Sequence, residues 1–243
     1  MVSSDKLHRV RTVVETEKGT KVSDSIQEKD PDTLFPLQAA LGYDIAQNLF
    51  ISKNNLLVEG ASDLIYLTVM SSVLEQAGRT SLGEDITIVP VGGLDKVTSF
   101  ISLLRGQKLK IVCLLDTFTD QKGKARVQDL IREKIIKETH IRFFDEFASI
   151  TGGPADLEDL FEKDEFLGIF NAAFNEHRNL AITDLDPSEP RILVQVNKAL
   201  SLQRFTHYRP ANELAKMGVD ASYFSAKTLD RFEKVFTTIN KLF

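Results

Sequence analysis

Apolar positions follow two regimes that change near residue 149. Before that point, short continuous apolar runs alternate with segments whose apolar residues recur every three or four positions. The runs at 56–58, 86–91, 109–115 and 141–147 have strand length, and 109–115 is apolar apart from Lys110, as in a strand buried on both faces. Between them, Leu64, Leu67, Met70, Leu74 and Ala77 mark a helix that starts at Ser62 and is stopped by Gly78. Val97, Phe100, Ile101 and Leu104 mark another after Gly92 and Gly93, and Val127, Leu130, Ile131 and Ile135 a third over 125–137. Ahead of all these, Pro36 suits a first helical position, and Leu37, Ala40, Leu41, Ile45 and Leu49 predict a helix over 36–49. Strands alternating with helices predict an α/β fold, a mostly parallel sheet flanked by helices.

Past Ser149 the pattern is helical. Thr151, Gly152, Gly153 and Pro154 form a loop, after which helical spacing runs from Leu157 to Phe174, then over 192–202, 212–217 and 229–239. Only 184–190, with its acids and two prolines, breaks it. The organisation predicted is a linker over 1–33, where Gly19, Asp24, Asp30 and Pro31 punctuate a polar stretch, an α/β domain with its preceding helix over 34–160, and an additional helical subdomain over 161–243.

Composition narrows the function less than the pattern does. The 243 residues carry a formal net charge of −5 with acids and bases interspersed, so no basic tail marks a nucleic-acid binder; a local patch and bound metal would have to serve. Cys113, the single cysteine, falls inside the 109–115 strand and reads as apolar filler. The first residues lack the apolar core of a signal peptide and no run approaches a membrane span, so the expectation is a cytoplasmic protein with no membrane partner. There is no phosphate-binding G-x-x-x-x-G-K-[ST] loop, serine-hydrolase elbow or C-x-x-C pair.

Acids at strand ends change the picture. The 56–58 strand runs into Glu59-Gly60 and then Asp63 in the first turn of the next helix, and the 109–115 strand ends on Asp116. Parallel strands present their carboxyl ends along one rim, where these acids can converge. Clustered carboxylates call for a cation, and hard oxygen donors suit Mg²⁺ or Mn²⁺. Taken singly, Glu59 is also a solvated turn acid and Asp63 a helix cap.

Val58-Glu59-Gly60-Ala61-Ser62-Asp63, the Gly-Gly-Leu turn and Leu114-Leu115-Asp116 together resemble the Toprim domain shared by topoisomerases, primases and certain nucleases. Leu34 to Gly42 and Asp156-Leu157-Glu158-Asp159-Leu160-Phe161 are similar to the carboxyl-terminal half of the OLD-family (overcoming lysogenisation defect) nucleases, a likeness running from about residue 34 to 215. The resemblance implies a Toprim-like fold and a metal-dependent DNA endonuclease with two divalent ions, Mg²⁺ or Mn²⁺, roughly 3.5–4 Å apart. Its ligands would be Glu59, Asp63, Asp116, Asp156 and Glu158, with Glu59 as ligand or base. The family's D-x-D reads Asp116-Thr117-Phe118 here, so Phe118 stands where a second acid is expected; Asp120 either replaces it or caps the following helix. A basic group near the phosphate would be Lys198, His207 or Arg209. The resemblance also implies an upstream ABC-type ATPase domain in a longer protein and a possible homodimer. The competing reading is an inactive Toprim or receiver-like module that binds DNA or a partner through a single metal; four tyrosines without a cleavage module speak against a topoisomerase.

Overall fold

Leu56, Leu57 and Val58 expose none of their surface, and with Asn54 and Asn55 they form β3 (Asn54–Val58), the strand around which a four-stranded sheet is built. The computed structural model describes residues 12–16, 19–23, 53–92, 109–117, 121–132, 136–148, 153–201 and 205–243. Contacts divide the chain into two units, Met1–Ser52 and Lys53–Phe243.

In the first unit β1 (Thr12–Thr16) pairs antiparallel with β2 (Gly19–Ser23), Thr16 opposite Gly19. This hairpin lies within the stretch read as linker. Its strands are short but rich in β-branched valine and threonine, and Gly19 takes φ +117°, which closes the turn at no steric cost. The helix predicted over 36–49 lies outside the described residues.

In the second unit β3 is flanked by β4 (Ile86–Pro90) and β5 (Lys110–Leu115), and β5 by β6 (Ile141–Phe143); all pairs are parallel and the spatial order is β4-β3-β5-β6. Side chains alternate across the sheet. Leu56, Val58, Val112 and Leu114 join one continuous core with the helices, whereas Leu57, Val89, Cys113 and Leu115 are buried on the alternate positions. The core takes in α1 (Ala61–Gln76), α3 (Lys163–Ala173), α4 (Ile192–Ala199), α5 (Tyr208–Met217) and α6 (Ala226–Asn240), so the carboxyl-terminal helices share the core of the sheet; α2 (Gln121–Arg132) follows β5. Aromatic rings knit this core: Phe161 lies 5.5 Å from Tyr66 and 5.0 Å from Phe232 between ring centres.

Several boundaries differ from those the pattern predicts. β6 ends at Phe143 rather than 147, because Glu146 turns back to accept the Phe143 N–H at 2.9 Å and folds 144–146 into a 3₁₀ turn. The helical spacing from Leu157 to Phe174 resolves into a 3₁₀ turn, Leu157–Leu160, and then α3. α4 stops at Ala199, with Ser201 in the left-handed region. α5 begins at Tyr208, four residues before 212: Pro210 sits in its first turn, where the missing N–H has no intrahelical partner to lose. The helix predicted after Gly93 lies outside the described residues.

Candidate metal centre

From β3 the chain crosses to β4 on one side and returns to β5 on the other, so the carboxyl ends of β3 and β5 form the point at which the sheet reverses direction. Crevices at such points are where open parallel sheets bind ligands. Glu59 follows β3 and Asp116 follows β5, and the Asp116 N–H donates to Glu59 Oε1 at 3.2 Å. The Glu59 carbonyl accepts from Gly92 N–H at 2.9 Å, which ties the loop after β4 to the same rim.

Asp63 sits in the first turn of α1. Its carboxylate accepts the Gly60 N–H at 2.9 Å, so it does cap the helix, and the capping oxygen leaves Oδ1 beside the Ser62 hydroxyl at 3.4 Å. Gly60 has extended backbone angles, and a β-carbon there would meet only Ser62, its Oγ at 3.4 Å and its N at 4.0 Å. Glycine is therefore not demanded by the backbone; its lack of a side chain opens the cleft. That cleft, about 630 Å³, is lined by Glu59, Gly60, Asp63 and Asp116 on the sheet side and by Phe205, Thr206 and His207 at the entry to α5.

Asp156 and Glu158 are buried at the Leu157–Leu160 turn, with the half-buried Asp159 beside them. Burial pushes the carboxyl of Glu59 up to about 7, with Asp63 next as cause, and that of Asp63 up to about 6. Asp116 is raised well above the carboxylate range by burial and then by Asp63, Asp156, Glu59 and Glu158. Glu158 is raised likewise by burial, Asp156 and Asp63. Asp156 is raised by burial and partly relieved by Arg191, 3.5 Å away. These five acids thus feel one another's charge. Among the described residues no lysine or arginine pairs with Glu59, Asp63 or Asp116, and His207 Nδ1 approaches Glu158 at 3.7 Å.

A divalent cation fits this environment on donor chemistry: hard oxygens, buried, with net negative charge to offset. Tyr66 adds to the fit, since its hydroxyl is buried beside Glu158 and Asp63 without a hydrogen-bond partner among the described residues. Among those residues no three acids are gathered at ligand distance about one point.

Residues 50–117 match the family model described as overcoming lysogenization defect protein-like, TOPRIM domain. This segment resembles an OLD-like Toprim domain. Two structures of the C-terminal region of the Xanthomonas campestris pv. campestris OLD protein, phased with iodine and with mercury, are similar at 17% identity over 77% of this chain and 97% and 98% of theirs, with TM-scores of 0.44. Comparison with curated proteins finds no match. Among the described residues no helix is long and apolar enough to cross a membrane.

The structure brings Glu59, Asp63, Asp116, Asp156, Glu158 and His207 together around the Toprim rim. It does not bring Lys198, whose ammonium lies 3.3 Å from Asp186 and 3.4 Å from Glu189, away from the cleft lining. Arg209 is likewise engaged, with Glu176 at 2.5 Å and over the Phe174 ring at 4.1 Å. Asp120 and Phe118 lie outside the described residues. Two contributors stand outside the predicted ligand set. Arg191 reaches Asp156 from 35 positions away, and Asp159 locks the turn by accepting from Asp156 N–H at 2.9 Å and Ile192 N–H at 2.8 Å.

Proposed function

We propose that this chain is a divalent-metal-dependent endonuclease that hydrolyses phosphodiester bonds of DNA at the Toprim rim. The observation that carries the reading is the convergence of Glu59, Asp63, Asp116, Asp156 and Glu158 from three separate segments into one buried, undercompensated negative centre. Those residues would hold Mg²⁺ or Mn²⁺, two ions in the full form of the proposal. Bound there, the metal would supply an activated water and stabilise the departing oxygen.

The protein's own groups have separable tasks. The Asp116 N–H fixes the direction of the Glu59 carboxylate, and the Gly60 N–H fixes that of Asp63, so neither acid must reorganise when substrate arrives. Glu59, titrating near neutrality in the metal-free chain, is suited to take a proton from the attacking water. His207 lines the same cleft and would be the basic group that offsets phosphate charge and protonates the leaving oxygen. Phe205 and Thr206 wall the same side. Homodimerisation and an upstream ABC-type ATPase domain belong to the same proposal.

One sequence feature favours a second reading. Phe118 occupies the position of the second acid in D-x-D, which favours a single-metal module that holds DNA without cutting it. The two separate on supercoiled plasmid incubated with Mg²⁺, Mn²⁺ or Ca²⁺. Nicked or linear product with Mg²⁺ or Mn²⁺, abolished in Glu59→Ala and Asp116→Ala, is the expected outcome. Metal-dependent melting and DNA retention without cleavage would replace the nuclease by the binding module.

A further inference from the structure

Arg191 puts a cation at the wrong end of a helix. It caps the start of α4, with φ −86° and ψ 127°, and its carbonyl accepts the first helical bond from Gln195 N–H at 3.1 Å. The amino-terminal end of a helix is the positive end of its dipole, where a carboxylate is favoured and a guanidinium is not. Local structure therefore gives no reason for arginine here. The reason lies in the acidic turn: Arg191 Nη1 is 3.5 Å from Asp156 Oδ1, and the same charge acts on Asp159. Among the described residues it is the one lysine or arginine in contact with any of Glu59, Asp63, Asp116, Asp156 and Glu158.

The pair is loose on one side. Its 3.5 Å exceeds the roughly 2.7–2.9 Å of a charge-assisted hydrogen bond, and Arg191 Nε is buried with no hydrogen-bond partner among the described residues. The guanidinium is thus held by charge rather than by fitted bonds. Its side chain keeps 26% of its surface exposed against 9% for Asp156, so the acid is confined while the cation has a path to water. Glu189 adds a further acid near Asp156 and is itself matched by Lys198 at 3.4 Å. The backbone here is anchored without the Arg191 side chain: Ile192 N–H donates to Asp159 Oδ1 at 2.8 Å, and Ile192, Leu193 and Val196 are buried. The guanidinium can therefore be removed without detaching α4 from the acidic turn.

We propose that Arg191 is the resident counter-ion of the acidic centre, offsetting Asp156 in the metal-free chain and opposing the divalent cation that takes over its role. The inference rests on the metal-centre reading and adds a competitor to it. A divalent ion entering among these acids meets a positive charge already paired with one of them, and gains Asp156 in full only as the guanidinium withdraws toward water. Arginine stays charged at any working pH, so the competition is built in. Arg191 is on this account a residue that sets metal affinity, not a catalytic one.

The test compares the full chain with Arg191→Met, Arg191→Lys and the double variant Arg191→Met with Asp156→Asn. Each is melted in EDTA and in saturating Mn²⁺, and titrated with Mn²⁺ by calorimetry. In EDTA, Arg191→Met melts about 2–4 °C below the parent, because a confined carboxylate has lost its cation. Arg191→Lys and the double variant recover most of that loss. Saturating Mn²⁺ closes the gap, and Mn²⁺ binds Arg191→Met about tenfold more tightly than the parent. An equal melting loss in EDTA and in Mn²⁺ would make Arg191 a packing residue, and unchanged or weaker Mn²⁺ binding would make it a mere support for Asp156; either result overturns the proposal. The two readings fail separately: a parent that binds no Mn²⁺ sinks the metal centre itself, whereas a parent that binds it as tightly as Arg191→Met does sinks the counter-ion alone.

Discussion

Gly60 isolates space from backbone demand. Because its angles are extended and a β-carbon would meet only Ser62, Gly60→Ala is expected to be within about 0.5 kcal/mol of the parent in stability. The added methyl protrudes into the cleft, and displacement of a reacting phosphate by about 1 Å costs on the order of 100-fold in rate. Stability and plasmid cleavage measured on one preparation check both halves; unchanged cleavage would place the phosphate elsewhere. The raised acids make a second prediction. Glu59 and Asp159 titrate near 7 and Asp63 near 6, above their unfolded values, so the folded chain binds more protons than the unfolded one across that interval. In EDTA the melting temperature therefore falls as pH rises from about 5 to 7, and Glu59→Gln flattens the fall. His140, lowered by burial and by Lys137 and Lys110, pulls the other way as a single group, and Glu176, held down to about 2 by Arg209, has its effect below this window. Added Mn²⁺ should raise the melting temperature most at the high end, where the acids are charged. Glu59, Asp63 and Asp116 were legible because each follows an apolar run at a fixed offset. The Arg191 partnership was not, since a contact across 35 residues leaves no local trace.

Strands and helices were legible wherever burial imposes a period. β3 and β5 stand out as apolar runs, α1 as a stripe ending at Gly78, whose φ of +68° suits only glycine well. What escaped were the end of β6, which Glu146 cuts short, and the hairpin of the first unit, which falls in the polar stretch read as linker. Polar chemistry likewise joins α3 to α6. The Glu165 carboxylate accepts from Ser225 N–H and from the Thr228 hydroxyl, which in turn accepts from Glu162 N–H at 3.0 Å; Thr228 is fully buried. Thr228→Val keeps the shape but strips this node of its hydroxyl, leaving the Glu165 carboxylate one donor fewer and the Glu162 N–H only its bond to Glu165 Oε2 at 3.1 Å. A loss of about 1–3 kcal/mol in urea unfolding is expected. A loss below about 0.5 kcal/mol would mean that water replaces the hydroxyl.

Sheet and helices form one body because their core is one. Phe161 touches Tyr66 of α1 and Phe232 of α6, and lies two residues beyond Asp159, which braces the acidic turn. Phe161→Ala is expected to cost about 3–5 kcal/mol, a large share of a total that for most domains is about 5–15 kcal/mol. A cost under about 1 kcal/mol in denaturant unfolding would show that the two halves are held independently. Phe232, Val235, Phe236 and Ile239 of α6 expose no surface, and the side chains they meet include some from the helix that carries Asp63. On a ribosome, where synthesis runs from the amino terminus, Glu59, Asp63 and Asp116 emerge long before α5 can close the cleft or α6 can seal the core beneath it. A nascent chain therefore carries its acids without a finished centre, and any power to cut nucleic acid is withheld from the messenger RNA and genome around it until translation has passed Ile239.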